Sequence, residues 1–211
     1  MRAAEFTGLL LLLGLLLASP GEARAEQTEI TLGAEVGLLL PDFSPKSAAE
    51  IAVATWDVGI LLSYGVLDDL SLTAEFLFSM FDASSSGYTV SSDGLDYTGS
   101  LDFSSRVYHP RVGLKYKLFS GYNLAPYIEG NIGWSWSTYH DAKLLNEEGL
   151  DYGLGLGDWG ESAFTVSVGA SLDYRLANVV FVGLGFSYTY AIGGGLLRQF
   201  FNLPLQVSYY W

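Results

Sequence analysis

The stretch Phe200-Phe201-Asn202-Leu203-Pro204-Leu205-Gln206-Val207-Ser208-Tyr209-Tyr210-Trp211 closes the sequence. Phe201, Leu203, Leu205, Val207, Tyr209 and Trp211 occupy alternate positions. Phe200, Asn202, Pro204, Gln206, Ser208 and Tyr210 lie between them. Alternation at period 2 is the mark of a strand. One face is bulky and apolar and the other mostly polar, so the strand needs two different environments.

Seven earlier segments repeat the pattern, at 29–40, 52–66, 70–81, 106–118, 126–138, 162–175 and 179–190. In the third, Leu70, Leu72, Ala74, Phe76, Phe78 and Met80 share a face. In the seventh, Val180, Val182, Leu184, Phe186, Tyr188 and Tyr190 do. Each segment is long enough for the 9 to 11 residues that a tilted membrane strand requires. The fold class predicted is all-β, an eight-stranded antiparallel up-and-down transmembrane barrel. Pro110 and Pro204 fall inside strands, where a closed sheet has no edge to spare, so a bulge or a lost ladder bond is expected at each.

Composition agrees. Half of the 211 residues are hydrophobic, with 14 Tyr, 12 Phe and 5 Trp. After residue 25 no run reaches the roughly 20 apolar residues of a spanning helix. A formal charge of −13 excludes a basic nucleic-acid footprint. With no cysteine, an exported chain must hold together without disulfides. Residues 1–25 are expected to be a secretory signal peptide. Arg2 precedes an apolar run at 9–18, and Ala23-Arg24-Ala25 is a small-x-small cleavage site. Residues 26–211 then form the barrel domain.

The connections alternate in length. Residues 41–51, 82–105, 139–161 and 191–199 are longer than 67–69, 119–125 and 176–178. Long loops at one end and short turns at the other are the outer-membrane pattern, with the short turns in the periplasm. Interfacial aromatics are expected near strand ends. Trp56, Tyr108, Trp134, Trp136 and Tyr190 belong above; Tyr64, Tyr116, Tyr174, Tyr209 and Trp211 belong below. Within 82–105, Tyr88, Val90, Leu101 and Phe103 offer a way to extend the third and fourth strands beyond the membrane.

The inward face is read as small or polar, with charges at Glu35, Asp57, Glu75, Arg111, Lys115, Glu129 and Asp173. Glu75 is expected to pair with Arg111 and Lys115 with Glu129, with Arg111 able to reach toward Glu35 and Asp57. Eight strands leave room only for side chains, so the charges are expected to fill the lumen rather than line a path. His109 is placed in the lumen near the upper rim. His140 lies beside Asp141 and three residues after Ser137, the residue types of a hydrolase triad. Residues 141–161 carry six acids against Lys143, oxygen ligands without EF-hand spacing. A solvated acidic loop accounts for them. No catalytic residue, metal ligand or cofactor is assigned.

Signal peptide, strand number, loop alternation and the Tyr209-Tyr210-Trp211 ending together resemble the small eight-stranded outer-membrane barrels of the OmpA, OmpX and OmpW type. The resemblance covers residues 26–211. It implies residence in the outer membrane and contact with its lipids and lipopolysaccharide. It also implies insertion by barrel-assembly machinery, with Tyr209 and Trp211 as the terminal signal, and a monomer. The His-x-Ser pair of lipid A deacylase barrels is absent: His109 is followed by Pro110 and Arg111, and His140 by Asp141 and Ala142. The function expected is a non-enzymatic barrel with a side-chain-filled lumen and acidic surface loops. A narrow channel for small hydrophobic solutes is the alternative, and a lipid-modifying enzyme a lesser one.

Overall fold

The computed structural model describes residues 29–43, 55–119, 124–193 and 197–211. The expected signal segment, residues 1–25, lies outside them. Eight strands follow in order: β1 (Ile30–Phe43), β2 (Thr55–Leu67), β3 (Leu70–Ser92), β4 (Leu95–Lys117), β5 (Leu124–Leu145), β6 (Trp159–Ala177), β7 (Val180–Ile192) and β8 (Leu197–Tyr210). Each pairs antiparallel with the next, and β8 pairs with β1, so the sheet closes into a barrel without edges.

Around the middle of the barrel the alternation lands as expected. Val112, Ile132, Leu184 and Leu205 point outward and are exposed, while Glu75, Arg111, Asn131 and Asn202 point inward and are buried. The apolar outer wall is the surface that lipid covers. Trp56, Trp134, Trp136 and Tyr190 are exposed at its upper border. At the lower border Tyr64, Tyr116, Tyr174 and Trp211 are exposed, but Tyr209 is not. Its ring packs edge-on against Trp211 at 5.1 Å and is buried.

Neither proline shifts the register. Pro110 pairs with Phe76 on β3, while the β4–β5 register is interrupted between Tyr108 and Arg111. Pro204 pairs with Gly37 on β1, and the β7–β8 register is interrupted between Leu205 and Asn202. A strand residue sends its N–H to one neighbour only, so each proline costs one ladder and spares the other.

Two of the long connections are largely strand, and in 82–105 this is the extension that Tyr88, Val90, Leu101 and Phe103 offered. Residues 82–105 are mostly strand. β3 and β4 run on as a hairpin to a two-residue turn at Asp93-Gly94, both with positive φ (51° and 77°). That is the conformation a tight hairpin turn requires, and Asp-Gly is suited to it. β5 likewise runs past its expected end to Leu145, leaving 146–158 as the connection to β6. At Asp141 (φ 53°) the β4–β5 register slips, with Ser104 opposite His140 but Asp102 opposite Lys143. This bulge resets which β5 side chains point inward, and Ala142 and Leu144 become buried.

Candidate functional site: a bore in two parts

Among the described residues, charged and chemically active side chains converge in the bore. It divides into a polar belt and, toward the long-connection end, an apolar plug.

In the belt, Arg111 on β4 forms an ion pair with Glu75 on β3, the residue opposite it in register. That expected pair is present, and both partners are buried. The second expected pair is corrected. Lys115 lies opposite Glu129 on β5, yet its Nζ donates to Asp173 Oδ2 on β6 at 2.9 Å. Neighbouring side chains explain the choice. The ammonium passes over the ring of Tyr127, 4.4 Å from its centroid. The β5 residue opposite Asp173 is Ala125, too small to obstruct the approach. Glu129 turns the other way, toward Gly169, where a Cβ would collide with its carboxylate.

Glu35 and Asp57 form no ion pair with Arg111 among the described residues. Asn202 Nδ2 donates to Asp57 Oδ2 at 2.7 Å, and both side chains sit where a Cβ on Gly37 would overlap them. Inward glycines therefore do not leave the lumen empty. Gly113, Gly169 and Gly183 likewise house Asn131, Glu129 and Asp173 from adjacent strands, while Gly185 faces the ring of Pro204. A cavity of about 20 Å³ remains between Glu35, Glu75, Arg111 and Glu129, room for about one water.

His109 also faces the bore, but deep below the rim. Its Nε2 shares a hydrogen bond with Thr165 Oγ1 at 2.9 Å, and its ring packs edge-on against Phe200 at 5.3 Å. Phe200 belongs to the plug. Leu39, Phe81, Leu101, Phe103, Val107, Tyr139, Leu144 and Leu197 join it in one buried cluster. Tyr139 is fully buried, and Phe103 meets it edge-on at 5.2 Å. Leu154 and Leu156, from the β5–β6 connection, pack against the same cluster, as does Trp159, stacked on Tyr139 at 5.0 Å.

The plug departs from the expectation of a mostly small or polar inward face. Its cause is a change of solvent outside. On β3 the outward face is apolar through Met80 and then continues with Asp82 and Ser84. The inward face goes from Glu75 to Phe81 and Ala83. On β4 the outward Tyr108 gives way to Arg106 and Ser104, and the inward Arg111 to Val107 and Phe103. Where the barrel leaves lipid for water, its faces exchange character.

The remaining candidates are not assembled into chemistry. Ser137 is buried and inward, whereas His140 is on the opposite face, bonded to Asp158 by Nδ1 at 2.8 Å. The hydrogen bond from His140 holds the Asp158 carboxyl below its ordinary range. Among the described residues no group of three or more His, Asp or Glu is placed to hold a metal ion.

Geometry and ancestry agree. The sequence matches the outer membrane protein beta-barrel domain over residues 9–209, and the chain belongs to that family. It is therefore a protein of the cell outer membrane. Solved structures of similar fold include Neisserial surface protein A (13% identity, TM-score 0.56, covering 89% of this chain and 99% of that one). The attachment invasion locus protein Ail of Yersinia pestis, in complex with the heparin analogue sucrose octasulfate, is another (11%, TM-score 0.54, 88% and 100%). A third is the outer membrane protein OprG of Pseudomonas aeruginosa (15%, TM-score 0.52, 91% and 99%). At such identities the likeness is one of fold. The comparison with curated proteins finds no match.

Proposed function

We propose that this is a non-enzymatic, non-conducting barrel that anchors a folded, acidic extracellular extension at the cell surface for contact with envelope or external partners. The observation that carries this reading is the plug. Tyr139, Leu101 and Leu144 are at most 1% exposed in the upper bore. A hydrophobic constriction of that kind excludes ions by dewetting. Beneath it the Glu75–Arg111 and Lys115–Asp173 pairs cross the belt. The hydroxyl–imidazole pair in the described bore, Thr165 Oγ1 with His109 Nε2, is sealed from solvent (1% and 2% exposed), which favours a display role over lipid modification.

The partners that fit are lipids and lipopolysaccharide around the outer wall and barrel-assembly machinery acting on the closing strand, for a protein that works as a monomer. Conductance in planar bilayers tests the proposal. Wild-type protein is expected to give no steady single-channel current. A stable current with defined ion selectivity would promote the channel alternative. Mass spectrometry of lipid A from cells with and without the protein tests the enzyme alternative, and unchanged acylation is the expected result.

A further inference from the structure

Below the belt the bore opens into a vestibule of about 500 Å³ at the short-turn end. That volume lies within the range of small-molecule sites, about 300–1,000 Å³. Its charges are sorted by side. Glu29 enters before β1, and Asp68 and Asp69 form the β2–β3 turn; Lys117 comes from β4 and Arg175 from β6. The Lys115–Asp173 pair lies at the floor.

We propose that this vestibule is a binding site for a compact zwitterion of amino-acid or dipeptide size, entering from the periplasm. A ligand of one sign would meet like charge on one wall. A molecule with an ammonium at one end and a carboxylate at the other matches both. The acidic side offers the carboxylates of Glu29, Asp68 and Asp69, whereas Asp173 is committed to Lys115 by one oxygen and turned against Gly183 by the other. The basic side is preorganised, because the Arg175 guanidinium donates to the Asn178 carbonyl at 2.8 Å and lies 5.8 Å from the Phe181 ring centroid. Such fixed groups lose little freedom when a ligand arrives. The belt closes the far side, so the geometry suits retention rather than passage.

Alanylalanine is the probe, added to folded full-length protein in lipid nanodiscs and followed by backbone amide NMR. Saturable shifts are expected at Asp69, Lys117 and Arg175. The N-acetyl and C-terminal amide forms, each missing one charge, should bind about tenfold more weakly or worse. Lys117→Met and Asp69→Asn should each weaken the free dipeptide similarly while keeping heat-modifiable migration on gels, the sign of a folded barrel. Absence of saturable shifts, or equal binding by the singly charged analogues, overturns the proposal. The assay reads contact rather than current, so its failure is separable from failure of the closed-bore reading.

Discussion

The belt and the plug share strands but follow opposite rules. In the belt, Glu75 and Arg111 face inward while Phe76 and Val112 face out; in the plug, Phe103 and Tyr139 face inward while Asp82 and Ser104 face out. The difference lies outside the wall. Hydrocarbon takes up apolar side chains and forces polar ones inward to find each other. Water reverses the preference and leaves an ordinary apolar core. The two halves of the bore should therefore fail differently when damaged.

The largest effects come from removing the anchor of each half. Arg111→Ala leaves the Glu75 carboxylate buried and unpaired, an expected loss of about 3–5 kcal/mol. Replacing both partners, as Glu75→Leu with Arg111→Met, should recover most of that loss, because the charge left without a partner is the main penalty. Phe103→Ala should cost a similar 3–5 kcal/mol through the cavity it opens, and no second substitution that only removes a charge should rescue it. Urea unfolding of protein refolded into lipid vesicles measures all three. Rescue of Phe103→Ala by a charge deletion, or none in the Glu75 and Arg111 double variant, would erase the distinction.

The outer wall gives a smaller contrast. Leu205→Arg places a cation against hydrocarbon near mid-depth, at about 2–4 kcal/mol. Gln206→Arg points into the polar belt and should be milder. Ser104→Arg, outward like Leu205 but beyond the lipid band, should change stability by about 0.5 kcal/mol or less. The same unfolding assay ranks them. An equal cost for Leu205→Arg and Ser104→Arg would mean that lipid does not end between Tyr108 and Arg106.

How much of this the sequence shows depends on the length scale. Strand identity needs only local alternation, so all eight strands and the facing of Glu75 and Arg111 could be read directly. The plug was legible in principle. Apolar residues change parity between Met80 and Phe81, and again between Tyr108 and Val107, and Asp93-Gly94 marks a tight hairpin between them. Tyr88, Val90, Leu101 and Phe103 suggested the extension, but not that its interior would be apolar. The Lys115–Asp173 pair could not be read in this way. It joins strands that are not neighbours, and its geometry is set by Ala125, Tyr127 and the reach of a lysine stem. Pairing by register assigns Lys115 to Glu129 because register sees only adjacent strands.

The smallest expected effect places the same chemistry on the far side of the wall. His140 and Asp158 form a cation–carboxylate contact at 2.8 Å whenever the imidazole is charged, much as Arg111 and Glu75 do inside. The Asp158 side chain, however, is 66% exposed, and water competes for both groups. Its carboxyl is nevertheless held below the ordinary 3.8, first by the hydrogen bond from His140 and then by its charge. A depressed folded value means that any stabilisation is complete above the unfolded pKa. It is lost as pH falls through the folded one, so the Asp158 contribution to this contact weakens in acid. An NMR titration of the side-chain carboxyl carbon should find Asp158 below 3.8 in the native protein and near it in His140→Ala. The variant's unfolding midpoint should move far less than that of Arg111→Ala. A comparable destabilisation would mean that the extension leans on this tie rather than on its apolar interior. An Asp158 titration unmoved by His140→Ala would mean that the two groups do not meet in solution.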